Sequence, residues 1–139
     1  MQERLMGLDY GDVRTGVAVS DLLGITAQGV ESIKHTSDKQ LLQRLKEIID
    51  EYNVKKIVIG LPLNMNATSG IRVEKTKKFI EKLKQEFELE VETIDERLTT
   101  VASHRTMTEL GVSKNKKKNI VDMMSAVLIL QMYMDRNRN

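Results

Sequence analysis

The chain has 139 residues, 22 basic against 20 acidic side chains, and a formal charge of +2. That length predicts one domain on the usual scale of roughly 100–200 residues, large enough to bury about two-thirds of its unfolded surface without staples. The absence of cysteine excludes disulfide scaffolds, thiolate zinc sites, thiol catalysis and Fe–S clusters; no apolar run nears the ~18 residues of a membrane span, and the N-terminal residues lack the apolar region of a signal peptide, so the expectation is a soluble cytoplasmic protein.

Leu5-Met6-Gly7-Leu8-Asp9 is a short apolar run that stops at Tyr10-Gly11-Asp12. Thr15 to Ser20 is a second run, ended by Asp21, and Ile25 to Ile33 is a looser third. Short strands joined by glycine-containing connections predict antiparallel hairpins. The period then changes. Ser37-Asp38-Lys39-Gln40 has the form of a capping box, and Leu41, Leu42, Leu45, Ile48, Ile49 and Tyr52 follow at helical spacing. Ile57-Val58-Ile59-Gly60-Leu61 lacks polar alternation, as a strand buried on both faces does. Pro62 to Gly70 reads as a loop, and Ile71 to Phe87 as an amphipathic helix with Val73, Phe79, Ile80, Leu83 and Phe87 inward. Val91 to Ile94 is another short strand. Thr99 starts a helix that Gly111 stops, and a last helix runs from about Lys118 to Met134.

Three strands followed by alternating helices and strands predict an α/β fold, one mixed sheet with helices on its faces. The crossovers place Leu61 and Ile94 on parallel strands, with Asn64 and Asp95 at their carboxyl ends. Open α/β sheets bind ligands on that side.

Three acidic positions stand out. Asp9 ends an apolar strand, where a turn-initiating Asp is also common. Asp95-Glu96-Arg97 closes the last strand, where carboxylates also suit a helix N-terminus. Asp122 lies in a helix that is apolar almost all round, interrupted only by Asn119, Asp122 and Ser125 on one narrow stripe. That stripe faces either solvent or a polar site, because carboxylates are rarely buried without a partner. Two strand-end carboxylates and one on a nearly buried helix suggest a convergent acidic cluster. Without cysteine, and with only His35 and His104 to offer imidazole, such a cluster suits Mg²⁺ or Mn²⁺. It also suits two-metal hydrolysis of a phosphodiester, with ions ~4 Å apart.

The loop carries Asn64, Asn66 and Thr68 and is followed by Arg72 and Lys75. It is either an ordinary β–α connection or a phosphate-backbone contact. Lys114, Lys116, Lys117 and Lys118 form the one charge run, either a solvated turn between helices or a phosphate-contacting patch. The run helps give residues 101–139 a balance of +4 against −2 for residues 1–100. Arg97 is placed to clamp phosphate or pair with Asp95. The histidines read as surface or helix residues without a role, the eight methionines as core filling, and Tyr10 as a residue able to stack on a base.

Five blocks appear in order: Gly7-Leu8-Asp9-Tyr10-Gly11, Gly16-Val17-Ala18-Val19-Ser20-Asp21, Gly60-Leu61-Pro62-Leu63-Asn64-Met65-Asn66, Asp95-Glu96-Arg97-Leu98-Thr99-Thr100 and Asp122-Met123-Met124-Ser125-Ala126. Together they resemble the YqgF family, also called RuvX-like Holliday-junction resolvases or pre-16S rRNA processing nucleases, over essentially the whole chain. The resemblance implies one RNase H-like domain over 1–139, with three antiparallel strands first, then two parallel strands, and helices on both faces. It implies a bacterial, cytoplasmic, metal-dependent nuclease. The family's acidic residues fall on Asp9, Glu96 and Asp122, with Asp95 a reserve ligand, and Arg14 occupies a position often basic in the family. Ala67 departs from the pattern, where glycine is common. The implied partners are nucleic acid, either precursor 16S rRNA or branched DNA, and ribosomal particles. The alternatives are a Holliday-junction resolvase and a non-catalytic nucleic-acid-binding module. Asp9-Tyr10-Gly11 with Gly16 is also similar to the phosphate hairpin of actin-like kinases, but those need two such lobes.

Overall fold

The computed structural model describes residues 3–62, 67–95 and 114–137, with side chains at all of these except 67–69 and 114–119. β1 (Arg4–Asp9), β2 (Arg14–Ser20) and β3 (Ala27–Lys34) pair antiparallel in sequence, as the glycine-punctuated runs predict. β4 (Val54–Leu61) lies parallel to β1, and β5 (Glu90–Asp95) lies parallel to β4. The sheet order is β3-β2-β1-β4-β5. α1 (Asp38–Tyr52) and α2 (Ala67–Phe87) make the crossovers, and α3 (Lys114–Arg136) follows β5.

Strand alternation sends successive side chains to opposite faces, and the two faces carry separate cores. Met6, Leu8, Tyr10, Val17, Val19, Ile57 and Ile59 pack with α1 and α2 through Leu41, Leu45, Ile48, Phe79 and Leu83. Ala18, Val58 and Ile94 pack with α3 through Ala126, Ile129, Leu130 and Met134. β4 feeds both clusters, which is why its sequence shows no polar alternation.

Ser37 caps α1, its hydroxyl accepting from the Gln40 N–H at 3.2 Å. The return bond differs from a standard capping box: Gln40 Oε1 accepts from the Thr36 N–H at 2.8 Å, one residue upstream. α2 begins at Ala67, before the predicted loop end at Gly70. Ala is a strong helix former, which suits Ala67 to a helical start. α3 likewise begins at Lys114, so the lysine run belongs to a helical first turn rather than to a turn between helices. The helix predicted from Thr99 to about Leu110 lies outside the described residues, as does His104.

Two expectations are corrected under the β1–β2 turn. Tyr10 is 6 % exposed and stacks on Phe79, ring centroids 4.2 Å apart, while its hydroxyl donates to Asp38 at 2.8 Å. A side chain so committed is core, not a base-stacking platform. Burial, and then the Asp38 bond, push its phenol well above the ordinary range. His35 is 4 % exposed, not a surface residue, with Nε2 lying 2.9 Å from Thr15 Oγ1.

Burial holds the His35 imidazole below its ordinary 6.5, although Asp38 and Asp12 pull the other way. The unfolded chain therefore binds this proton at a pH where the native state does not. Its contribution is complete above about 6.5 and is lost as pH falls toward the folded value. Between pH 7.5 and 5.5 the wild-type protein is expected to lose more unfolding free energy than His35→Gln. Urea melts at both pH values check this; parallel losses in the two proteins would contradict it.

Candidate functional site

The carboxyl ends of β1, β4 and β5 lie at one end of the sheet, as the crossovers require. Leu61 is the register partner of Asp95. Asp9 is the last residue of β1 and pairs with Gly16 of β2, which pairs in turn with Ser32 of β3. Directly paired residues share a face. Gly7 sets which face this is, because a Cβ there would lie 2.8 Å from the Ala126 carbonyl oxygen of α3. Asp9 shares the parity of Gly7 and so faces α3.

Gly16 brings the helix closer still. A Cβ at that position would overlap the Asp122 carbonyl group. The lack of a side chain therefore seats the Asp122 backbone directly over the strand that borders Asp9. Ser32 Oγ then donates to Asp122 Oδ2 at 3.0 Å from the neighbouring strand. The polar stripe of α3 thus faces the sheet: Ser125 is 1 % exposed and Asp122 half-buried. Asp9, Asp122 and Ser125 each make further interactions within the protein. Asp9 and Asp122 come from opposite ends of the chain and are brought to one face by a row of three paired residues.

Asp95 behaves differently. Ile94 packs with the α3 cluster and Val91 with the other, so alternation gives Asp95 the face opposite Asp9. Glu96, one residue on, has the sequence parity of Ile94 but lies outside the described residues, as do Asn64, Asn66 and Arg97. Thr68 lies in the first turn of α2, and Lys114, Lys116, Lys117 and Lys118 lie at the start of α3, with side chains outside the described set. Among the described residues, no three of His, Cys, Asp and Glu are grouped to hold a metal ion.

The residues just after Asp9 are held from several elements. The Tyr10 ring and hydroxyl are fixed by α2 and α1, and its carbonyl accepts from Arg72 Nη2 at 3.4 Å. The Gly11 N–H donates to Thr15 Oγ1, also at 3.4 Å. Asp12 pairs with Lys75 at 2.6 Å and lies 3.9 Å from Arg72. The Lys75 hydrogen bond holds the Asp12 carboxyl below its ordinary value. Arg72, read from sequence as a phosphate contact, is thus engaged with the β1–β2 turn. Asp38 is held similarly: burial works to raise its pKa, but hydrogen bonds from Lys82 and Tyr10 outweigh it. Ser32 went unseen in the sequence, where it is an ordinary strand serine 90 positions from its partner.

This sheet order, with helices on both faces, is an RNase H-like α/β fold. Solved structures share it at low sequence identity. Thermus thermophilus RuvC in complex with a Holliday junction substrate superposes with a TM-score of 0.60 at 13% identity, covering 98% of this chain and 97% of that chain. The fowlpox virus Holliday junction resolvase gives 0.58 at 13% identity, covering 96% and 99%.

The chain belongs to the RuvX family, described as Holliday junction resolvase, whose family model matches residues 3–136. A Ruminiclostridium cellulolyticum protein named "Putative pre-16S rRNA nuclease" is 57% identical over 134 residues, 96% of this chain and 94% of its own length. A Clostridioides difficile protein of the same name is 54% identical over 132 residues, covering 95% and 94%. Among the described residues, no helix is long and apolar enough to cross a membrane.

Proposed function

We propose that this protein is a divalent-metal-dependent nuclease that cuts structured nucleic acid. Its substrate on this reading is the 5′ region of precursor 16S rRNA, met in the cytoplasm and on ribosomal particles. The observation that carries it is the presentation of Asp9 and Asp122 on one sheet face, with α3 seated on Gly16 between them. The relatives' shared name supports the RNA substrate. The family's description supports a second reading, branched DNA.

The donor set fits Mg²⁺ or Mn²⁺. Two half-buried carboxylates offer hard oxygen ligands, and the cysteine-free chain offers no thiolate alternative. Asp9, Asp122 and Glu96 are the proposed ligands of two ions, with Asp95 in reserve, although its strand parity points it away from Asp9. When bound, such ions supply an activated water and neutralise charge at the leaving oxygen. The chain's own groups do the rest. Tyr10, Gly11 and Asp12 fix the turn that follows Asp9, and Ser32 holds one oxygen of Asp122. Arg14, Asn64, Asn66, Thr68, Arg72, Arg97 and the lysines of α3 are the proposed phosphate contacts.

The test is one assay. Precursor 16S rRNA and a four-way DNA junction are each incubated with Mg²⁺ and with Mn²⁺, beside the Asp9→Asn variant. Metal-dependent product from the RNA, absent in the variant, is expected. Product from the junction alone would replace the RNA reading with the DNA one, and RNA binding without product from either would leave only a binding module.

The lysine run makes a separate prediction. Combined Lys116→Ala, Lys117→Ala and Lys118→Ala is expected to weaken RNA binding and flatten its dependence on salt, because each lost phosphate contact removes counterion release. Fluorescence anisotropy between 50 mM and 300 mM salt measures the slope. An unchanged slope would make the run a solvated helix start.

A further inference from the structure

Arg14 and Lys34 are direct register partners at the ends of β2 and β3. Arg14 alternates with buried Thr15, and Lys34 with Ile33 of the α1–α2 core. Both therefore share the face of Gly16, Ser32, Asp9 and Asp122. Facing partners in an antiparallel pair bring their Cβ atoms to about 5 Å, and like charges so placed are destabilising. The sequence offers each residue many possible carboxylate partners, and elsewhere the fold uses them: Arg44 takes Glu31, Lys75 takes Asp12, and Lys82 takes Asp38. The Arg14 and Lys34 side chains make no hydrogen bond or ion pair among the described residues. They sit two residues, about 7 Å, beyond the Gly16–Ser32 pair that underlies Asp122. From Leu130 and Ala126 over Gly7 to Asp122 over Gly16, α3 runs with its N-terminal end toward this edge.

We infer that Lys34, with Arg14 facing it, forms a phosphate-binding clamp on the carboxylate face of the sheet. The clamp holds the nucleic-acid backbone next to the phosphodiester presented to Asp9 and Asp122. This rests on the proposed nuclease reading for the identity of the polymer. Two facing cations repel each other until an anion lies between them, so a phosphate is the group that turns this pair from unfavourable to favourable. A long Lys side chain at a strand end also keeps the ammonium in water while its stem covers the sheet.

The test separates binding from cleavage. Binding of a structured 16S precursor fragment and of a four-way DNA junction is measured in EDTA, where no cutting occurs, for wild type, Lys34→Ala and Lys34→Arg. Lys34→Ala is expected to bind about eightfold more weakly at 0.1 M salt, with the salt slope reduced by about one. Its melting temperature should be equal or higher, because the cross-strand repulsion is gone. Lys34→Arg should restore both affinity and slope. Unchanged affinity and slope in Lys34→Ala overturn the clamp, as does a loss of binding that tracks a loss of stability and is not restored by Arg. A wild-type protein that binds in this way but releases no product with either metal would overturn the nuclease reading alone.

Discussion

Asp9→Asn is expected to reduce Mg²⁺- or Mn²⁺-dependent cleavage by about a thousandfold or more, the effect of withdrawing several kcal/mol of transition-state charge stabilisation. The change is nearly isosteric. It keeps the polar contacts available to a side-chain oxygen but removes the charge that a hard cation needs. Asp9 is half-buried at a strand end, and the next three residues fix the turn that follows it: Tyr10 on Phe79 and Asp38, Gly11 on Thr15, Asp12 on Lys75. The variant should therefore stay within about 1 kcal/mol of wild type in unfolding free energy. A second readout separates metal binding from turnover. Saturating Mn²⁺ should raise the melting temperature of wild type, because a ligand that binds only the native state stabilises it. It should leave Asp9→Asn unmoved. Undiminished cleavage, or an equal Mn²⁺ shift in both proteins, would remove Asp9 from the site.

Some of this site is legible in the sequence and some is not, and the division has a physical basis. Asp9 and Asp122 stand out because a carboxylate in an apolar run has few bland explanations, and local pattern is enough to show it. The parallel placement of β4 and β5 is legible too, since a helix between two apolar runs leaves few other topologies. What local pattern cannot show is which strand faces which helix. Ser32 and Gly16 acquire their roles only when α3, whose Asp122 lies 90 positions beyond Ser32, crosses the sheet. The same is true of Tyr10 and His35. Each looks available in the sequence, and each is taken up by partners from α1, α2 or a neighbouring strand. The early start of α2 is a third kind of miss. The polar stretch before Ile71 carries loop-forming residues, yet Ala67, Thr68 and Ser69 enter the helix once β4 delivers the chain to its start.

Gly16→Ala is expected to be strongly damaging for a single added methyl. The new Cβ would meet the carbonyl oxygen and carbonyl carbon of Asp122, which are backbone atoms that cannot rotate aside. Over-packing a tight core commonly costs about 1–3 kcal/mol even when flexible side chains can yield. Here α3 itself must lift, so the loss should reach about 3 kcal/mol. Lifting α3 strains the Ile129–Leu130 contact with the sheet and draws Asp122 away from Ser32 and from the Asp9 strand. Cleavage should therefore fall together with stability, whereas in Asp9→Asn it falls alone. Gly70→Ala is the matching control. It adds the same methyl to a helical position where a Cβ meets nothing within 4 Å, and Ala is favoured over Gly in helices by about 1 kcal/mol. The two substitutions should move the urea midpoint in opposite directions. If Gly16→Ala melted like wild type, the close seating of α3 on β2 would be wrong, and with it the geometry that brings the two carboxylates to one face.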